Sequence, residues 1–270
     1  MSKKILFLDL DGTTLRDDKS MPGENIDAIN HVLSMKHIVA VNTGRGIHST
    51  MLLLDEFGLS HENLYLLCFQ GNLIYHPSTE RILYSDGIDR EAGIERLSDL
   101  NDRGIHAHTY GGDGIISVLD NESLREYMRI THESTVFIGS WDELTEPVIP
   151  KVIAIDYNDH DRLEQYRQEF LASGDERFEC FFSSPMYLEF TKRGTDKGVG
   201  VREFAKLMGA DLADCVAVGD EENDIPMIRT AGVGVAVKNA VPDALAAADY
   251  VTTLDNNHGA IAEVIDKYYI

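Results

Sequence analysis

Two aspartates, Asp9 and Asp11, directly follow the short apolar run Ile5–Leu8 and precede Gly12. Because successive side chains of a strand point to opposite faces, residues two positions apart point the same way. Two carboxylates side by side repel each other unless a positive charge lies between or beside them. Mg2+ is a hard cation that prefers oxygen ligands, so the pair predicts a magnesium site.

Further polar groups stand where other apolar runs end. They are Thr43, Gly44 and Arg45 after the run Ile38–Val41, Lys197 at the start of a predicted helix, and Asp220, Asn223 and Asp224 after the run Val216–Val218. Taken singly, such residues are ordinary strand-end hydroxyls, solvated lysines and helix-capping acids. Open parallel sheets bind their ligands beyond the carboxyl ends of the strands, so we expect these groups to share one site.

The set suits phosphoryl transfer. A carboxylate can approach a phosphate dianion only when cations screen both charges, and Mg2+ with the Lys197 ammonium would do so. Thr43 can donate its hydroxyl to one phosphoryl oxygen, and backbone N–H groups of the turn at Gly12 can cradle another. A second acid must protonate the leaving oxygen and then activate water, so Asp9 and Asp11 can divide the two roles.

The elements that must position these groups alternate along the chain. Short apolar runs typical of strands buried on both faces occur at Ile5–Leu8, Ile38–Val41, Tyr65–Phe69, Val216–Val218 and Val233–Val237. Helical spacing lies between them, for example at Ile26, Ile29 and Leu33, and again at Val199, Phe204 and Leu207. Strands that alternate with helices predict an α/β fold with a parallel sheet.

A block from about Ser85 to Glu189 interrupts this alternation. Its apolar runs at Ile115–Leu119, Lys151–Tyr157 and Met186–Phe190 indicate strands, Leu163, Tyr166 and Phe170 are spaced for a helix, and Gly111–Gly114 predicts a tight turn. The block has the size of a small α+β domain. We therefore expect a core made of residues 1–84 and 190–270, with residues 85–189 inserted as a second domain.

Composition limits the class of partner. The 270 residues contain 46 Asp and Glu against 24 Lys and Arg, a net charge of −22, which opposes binding to nucleic acid or anionic membranes. The three cysteines form no C-x-x-C pair, so neither zinc nor a disulfide framework is indicated. No run is long enough to span a membrane, and the start has no secretory pattern. We expect a cytoplasmic protein that acts on a small molecule.

Four motifs together resemble the signature of the haloacid dehalogenase-like hydrolases. They are Asp-Leu-Asp-Gly-Thr-Thr at 9–14, Asn-Thr-Gly-Arg at 42–45, Gly-Thr-Asp-Lys-Gly at 194–198 and Gly-Asp-Glu-Glu-Asn-Asp-Ile-Pro-Met at 219–227. The large insertion between the second and third motifs is similar to that of the Cof-type phosphatases. The resemblance implies a Rossmann-like core, an inserted α+β cap and Mg2+-dependent hydrolysis of small phosphorylated metabolites, sugar phosphates above all.

The resemblance also implies roles for residues. Asp9 would be the nucleophile and Asp11 the general acid and base, while Thr43, Gly44 and Lys197, with Gly12 and Asn223, would bind the phosphoryl group. Asp9, the backbone carbonyl of Asp11 and Asp220 would hold Mg2+, and Asp224 would support its waters or Lys197. One position departs from the pattern, because the family often has Asn-Gly-Ala where this chain has Gln70-Gly71-Asn72.

Rival interpretations use the same residues. A sugar phosphomutase would keep its phosphoenzyme until a sugar hydroxyl arrives, and Asp11 could activate that hydroxyl instead of water. A receiver-like signalling module also uses strand-end acids, but it is a single small domain without the insertion. A binding protein without catalysis is disfavoured by the complete acid, hydroxyl and lysine set. No G-x-x-x-x-G-K-[ST] loop is present, which argues against a P-loop nucleotidase.

Overall fold

The structure is a computed structural model that describes residues 4–60, 62–111 and 114–270. Its strands are β1 (Ile5–Leu8), β2 (Ile38–Asn42), β3 (Leu64–Cys68), β4 (Leu73–His76), β5 (Arg81–Ser85), β6 (Ile88–Asp89), β7 (His106–Gly111), β8 (Gly114–Ser117), β9 (Thr135–Phe137), β10 (Val148–Ile149), β11 (Val152–Ile155), β12 (Phe178–Ser184), β13 (Tyr187–Lys192), β14 (Cys215–Gly219), β15 (Val233–Ala236) and β16 (Tyr250–Val251).

The helices alternate with the strands over most of the chain. They are α1 (Gly23–Ser34), α2 (Ile47–Glu56), α3 (Arg90–Asp102), α4 (Glu122–Thr131), α5 (His160–Ser173), α6 (Lys197–Met208), α7 (Ile225–Thr230), α8 (Pro242–Ala247) and α9 (Ala260–Tyr268). Among the described residues, no helix has both the length and the apolar character needed to cross a bilayer.

The chain divides into two compact units. The first contains the described parts of residues 1–45, 50–84 and 196–270, and the second contains residues 46–49 and 85–195. The inserted block therefore runs six residues beyond Glu189, where the sequence placed its end. The reason is that β13 continues to Lys192 and pairs along its length with β12, so cutting the chain at residue 189 would divide one strand.

The first unit is built on an eight-stranded sheet in the order β16-β15-β14-β1-β2-β3-β4-β5. The neighbouring pairs from β16 to β3 are parallel, whereas β4 runs antiparallel to β3. Every residue of β1 is buried, because this strand lies in the middle of the sheet. Leu8 pairs with Val218 on one side and Val41 on the other, so the residues that follow these strands emerge at one edge.

The predicted strands of this unit are confirmed to within about one residue at either end. The helix after Lys197 is confirmed too, but not every apolar residue that indicated it is buried. Phe204 is fully buried and packs edge-to-face on Phe7 with ring centroids 5.8 Å apart, whereas Leu207 is 45% exposed. Val201 and Ala205 are buried as well, and Val201 shares its helix face with both Phe204 and Ala205, which lie three and four residues further along.

The second unit contains a six-stranded sheet in the order β12-β13-β11-β7-β8-β9, antiparallel except between β8 and β9. Apolar residues of the strands and of α3 and α5 form its core, among them Leu97, Leu163, Tyr166, Phe170 and Phe190. The predicted helix at Leu163, Tyr166 and Phe170 is thus confirmed. The predicted turn Gly111–Gly114 joins β7 to β8, but residues 112 and 113 lie outside the described part of the chain.

Candidate active site

The nucleophile candidate, Asp9, lies immediately beyond β1 at the carboxyl edge of the parallel sheet. Its backbone N–H donates to the Val218 carbonyl at 3.0 Å, and its own carbonyl accepts from the Thr14 hydroxyl at 2.5 Å. The side chain is buried, with only 6% of the residue exposed. The chain then turns at Gly12, where φ is +82° and a Cβ would collide with the Asp220 carboxylate, so only glycine fits.

Lys197 lies between two carboxylates. Its Nζ is 2.5 Å from Asp9 Oδ1 and 2.5 Å from Asp224 Oδ1, and the lysine side chain is 1% exposed. Burial lowers the pKa of Lys197, but the charges of Asp9 and Asp224 outweigh it and raise that pKa above its ordinary value. The ammonium is therefore charged at neutral pH. Burial raises the pKa of Asp9, and Lys197 opposes this rise.

The loop after β14 supplies two more buried acids with different partners. Asp220 Oδ1 accepts the Thr13 hydroxyl at 2.6 Å. Asp224 Oδ2 accepts the backbone N–H groups of Asp220 at 2.9 Å and Glu221 at 3.0 Å. Burial raises the pKa of Asp220 to about 6, although the Thr13 hydrogen bond lowers it. Asp224 thus fixes the loop and Lys197 together.

The donor set fits a divalent metal ion. Oxygen atoms of Asp9, Asp220 and Asp224 lie within 4.8 Å of one another, and all three residues are buried. Three carboxylates and one ammonium leave two uncompensated negative charges in a buried place, which is costly without a cation. Within the described residues, Asp9 Oδ2 and Asp220 Oδ2 accept no hydrogen bond, whereas both oxygens of Asp224 are already used.

Asp11 has a different environment from Asp9. Arg45 donates from Nε to Oδ2 at 2.8 Å and from Nη2 to Oδ1 at 2.7 Å, and Lys19 donates to Oδ1 at 2.8 Å. Partial burial raises the pKa of Asp11, but the bonds and charges of Arg45 and Lys19 outweigh it and lower the pKa to about 2. The two predicted catalytic carboxylates therefore have pKa values displaced in opposite directions.

The phosphate-binding candidates of the second motif lie beyond β2. Thr43 is 1% exposed, its N–H donates to the Leu67 carbonyl at 2.9 Å, and its hydroxyl oxygen accepts the Arg45 N–H at 3.2 Å. The next residue, Gly44, adjoins the side chain of Gln70, whose Nε2 would be 2.9 Å from a Cβ at that position. The structure thus places Thr43 and Gly44 at the same sheet edge as Asp9.

Asn223 contacts a residue to which the sequence assigned no role. Its Nδ2 donates to Gln70 Oε1 at 3.2 Å, across 153 positions of the chain. Sequence reasoning also missed Lys19, which reaches Asp11 because the tight turn at residues 16–20 places it there with φ of +69°. The sequence did indicate that Arg45 lies near the site, since it follows Thr43-Gly44 directly in the second motif. Nothing in the sequence pointed to Lys19.

A family model described as haloacid dehalogenase-like hydrolase matches residues 6–265. A candidate phosphatase of Streptococcus pyogenes serotype M6 is 29% identical over 283 residues, with 100% of both chains covered. The 5-amino-6-(5-phospho-D-ribitylamino)uracil phosphatase YitU of Bacillus subtilis is 25% identical over 271 residues, covering 98% of this chain and 97% of the relative. The chain belongs to the haloacid dehalogenase-like hydrolases, as its motifs predicted.

Solved structures agree with this fold. A Thermotoga maritima protein superposes with a TM-score of 0.88 at 25% identity, covering 100% of this chain and 98% of the other. A haloacid dehalogenase-like hydrolase from Bacteroides thetaiotaomicron gives 0.89 at 22% identity, with 99% and 100% covered. The predicted fold class is confirmed. The predicted enzyme class, a phosphoric monoester hydrolase, is confirmed by the full-length phosphatase relatives.

Proposed function

We propose that this haloacid dehalogenase-like hydrolase is a Mg2+-dependent phosphatase of small phosphorylated metabolites, with sugar phosphates as its preferred class, and that it reacts through an aspartyl phosphate on Asp9. The observation that carries the proposal is the buried group in which Lys197 contacts Asp9 and Asp224 while Asp220 lies close by. A nucleophilic carboxylate, a cation beside it and a place for a metal ion are the parts that phosphoryl transfer needs.

Asp9, Asp220 and the backbone carbonyl of Asp11 would hold the Mg2+. When bound, the ion would neutralise negative charge on the phosphoryl oxygens and on the carboxylates around it. Asp224 is committed to Lys197 and to two backbone N–H groups, so its part is to position the ammonium and the loop after β14.

In the first step Asp9 attacks phosphorus, so that a bond from Asp9 to phosphorus forms and the bond to the leaving oxygen breaks. Lys197 keeps Asp9 ionised and screens its charge from the incoming phosphate. Thr43 donates its hydroxyl to one phosphoryl oxygen. In the second step water attacks phosphorus, the bond to Asp9 breaks, and inorganic phosphate leaves.

Asp11 takes the proton from the attacking water in the second step. The contacts with Arg45 and Lys19 keep Asp11 ionised, which suits this role as a base. Protonation of the leaving oxygen in the first step requires a proton on Asp11. The hydrogen bonds from Arg45 and Lys19 to the Asp11 carboxylate must therefore weaken when substrate is present.

The inserted unit is the part of the chain that we propose selects the substrate. The core residues act on a phosphoryl group, which is the same in every monoester, so discrimination has to come from elsewhere. Ser184 ends β12 and Tyr187 begins β13 in this unit. We expect Tyr187→Phe and Ser184→Ala to change the ranking of substrates without changing Mg2+ dependence. Ser173→Ala, at the end of α5, is the matched control.

The experiment that tests the function measures free phosphate released from a panel of phosphorylated metabolites, with Mg2+ and with chelator. We expect release from sugar phosphates only with Mg2+, and none from folded Asp9→Asn. Asp27→Asn, on the exposed side of α1, should behave as the wild type. Formation of an isomeric sugar phosphate without free phosphate would instead favour a mutase, and turnover by Asp9→Asn would reject the mechanism.

A further inference from the structure

The segment after β3 has an unusual backbone. Phe69, Gln70 and Gly71 are three consecutive residues in the left-handed region, with φ of +53°, +63° and +86°. Glycine adopts this conformation readily, but phenylalanine and glutamine do so at a cost. Two hydrogen bonds to the second motif hold it, from Phe69 N–H to the Arg45 carbonyl at 3.1 Å and from Gln70 N–H to the Thr43 carbonyl at 3.0 Å. Such strain persists where the surroundings fix it, often at functional sites.

The strained backbone places the Gln70 side chain between two residues of the candidate site. Its Oε1 accepts the Asn223 amide at 3.2 Å, and its Nε2 adjoins Gly44, where a Cβ would come within 2.9 Å. Within the described part of the chain, Nε2 donates no hydrogen bond. The amide therefore has one end fixed by Asn223 and two N–H donors left for another acceptor.

The order of the sheet shows where this amide pair lies. Gln70 follows β3 and Asn223 follows β14, and the strands between them in the sheet are β1 and β2. Neighbouring strands are about 4.8 Å apart, so three spacings separate the flanking strands by roughly 14 Å. The hydrogen-bonded side chains of Gln70 and Asn223 consequently reach across the ends of β1 and β2, which Asp9 and Thr43 follow. Glutamine is one methylene longer than asparagine, which suits this span.

We propose that Gln70 is a substrate-binding residue whose Nε2 donates a hydrogen bond to an oxygen of the phosphoryl group. Phosphoryl oxygens only accept hydrogen bonds, and a neutral amide meets them without adding to the charge of the site. Asn223 holds the Gln70 amide in the orientation that turns Nε2 toward Gly44 and the site. This inference deepens the proposed function and rests on it for the position of the phosphoryl group.

Two substitutions separate phosphate binding from mere positioning of Asn223. Gln70→Glu keeps an oxygen acceptor for the Asn223 amide but has no N–H donor and adds a negative charge. Gln70→Met removes both donor and acceptor at similar size. If Gln70 donates to the phosphoryl group, both variants should raise the KM for a sugar phosphate at least tenfold and lower kcat less. If Gln70 only positions Asn223, Gln70→Met should have no further effect on the KM in an Asn223→Ala background, and the inference is overturned.

A third variant keeps the test valid if those two fold poorly. Gln70→Gly relieves the left-handed strain, so it should unfold at the same temperature as the wild type or higher, and yet bind phosphate more weakly. Lys36→Gly is the matched control, because Lys36 is an exposed left-handed residue with φ of +66° beyond α1. Lys36→Gly should leave phosphate binding unchanged.

The readout that does not depend on turnover is the Kd of inorganic phosphate, measured by calorimetry with Mg2+ for the full chain. We expect all three Gln70 variants to weaken this Kd at least tenfold. An unchanged Kd in Gln70→Gly would overturn the role of Gln70 even if the enzyme is an active phosphatase. Conversely, weaker phosphate binding in the Gln70 variants with no turnover in the wild type would sustain the binding role and reject the proposed reaction.

Discussion

The Lys197 ammonium lies 2.5 Å from Asp9 Oδ1, and both groups are buried beyond the carboxyl edge of the parallel sheet. This single contact joins the first and third motifs, which are 188 residues apart in the chain. A buried lysine of this kind cannot be explained as a solvated helix residue. Its contacts with Asp9 and Asp224 place Lys197 inside the candidate site.

Substitution of Lys197 tests its part in stability. Lys197→Met leaves the buried Asp9 and Asp224 carboxylates without their ammonium, which typically costs about 3–5 kcal/mol. We expect the free energy of unfolding to fall by about that amount, and added Mg2+ to restore part of the lost stability. Lys206→Met, an exposed lysine on the same helix, is the control and should cost little. An equal effect of the two substitutions in denaturant titrations would contradict the contact.

Metal binding can be measured apart from turnover. Mg2+ should raise the melting temperature of the wild type, because a ligand that binds only the folded state stabilises it. Asp220→Asn keeps an acceptor for Thr13 but removes a charged ligand, so the Mg2+ concentration needed for half the rise should increase at least tenfold. Asp243→Asn, exposed in the first turn of α8, should titrate as the wild type does. Identical titration curves for Asp220→Asn and the wild type would exclude Asp220 as a ligand.

The cations around Asp11 predict a change in pH dependence. They hold its pKa near 2, so the protonated form needed in the first step is scarce at neutral pH. Lys19→Met removes one cation and should raise that pKa toward 3.8, so phosphorylation of the enzyme by an alkyl phosphate should persist to higher pH. An aryl phosphate, whose leaving group needs no proton, should show little change. Single-turnover rates against pH measure this, and an equal displacement of the two pH profiles would count against the acid role.

A second pH effect comes from the inserted unit. His106 Nε2 and His108 Nδ1 are 3.1 Å apart and both residues are buried. Burial lowers the pKa of His106 to about 4, and burial together with His106 and Lys151 lowers the pKa of His108 as well. The unfolded chain therefore binds more protons below about pH 6.5, so stability is complete above that pH and falls as the pH drops to 4.

For His106 alone the loss of stability amounts to about 3 kcal/mol at pH 4, because a tenfold change in proton affinity corresponds to roughly 1.4 kcal/mol. His106→Gln should flatten the dependence of unfolding free energy on pH between 6.5 and 4. His31→Gln, on the exposed side of α1, keeps the buried pair and should keep the steep dependence. A wild-type stability that does not change over this range would contradict the neutral buried pair.

The sequence predicted the parallel sheet and the common position of the candidate site residues because both depend on local signals. Apolar runs such as Ile5–Leu8 specify buried strands, and the strand ends then bring Asp9, Thr43 and Asp220 to one edge. The contacts of Lys19 and Gln70 were missed because they depend on left-handed backbone and on residues distant in the chain. The spacing in α6 did not show which side is buried, because Gly198 and Gly200 carry no apolar side chain and yet lie against neighbouring backbone on the side of Val201.

The most direct test of the account is to locate the phosphoryl group on the enzyme. Asp11→Asn should slow the second step, so an aryl phosphate and Mg2+ should leave the phosphoenzyme to accumulate. Acid quench, borohydride reduction of the acyl phosphate and mass spectrometry of the peptides then identify the modified residue. We predict homoserine at position 9 and no reduction in a variant that also carries Asp9→Asn. Modification of a different residue, or full turnover with no modified residue, would contradict Asp9 as the nucleophile.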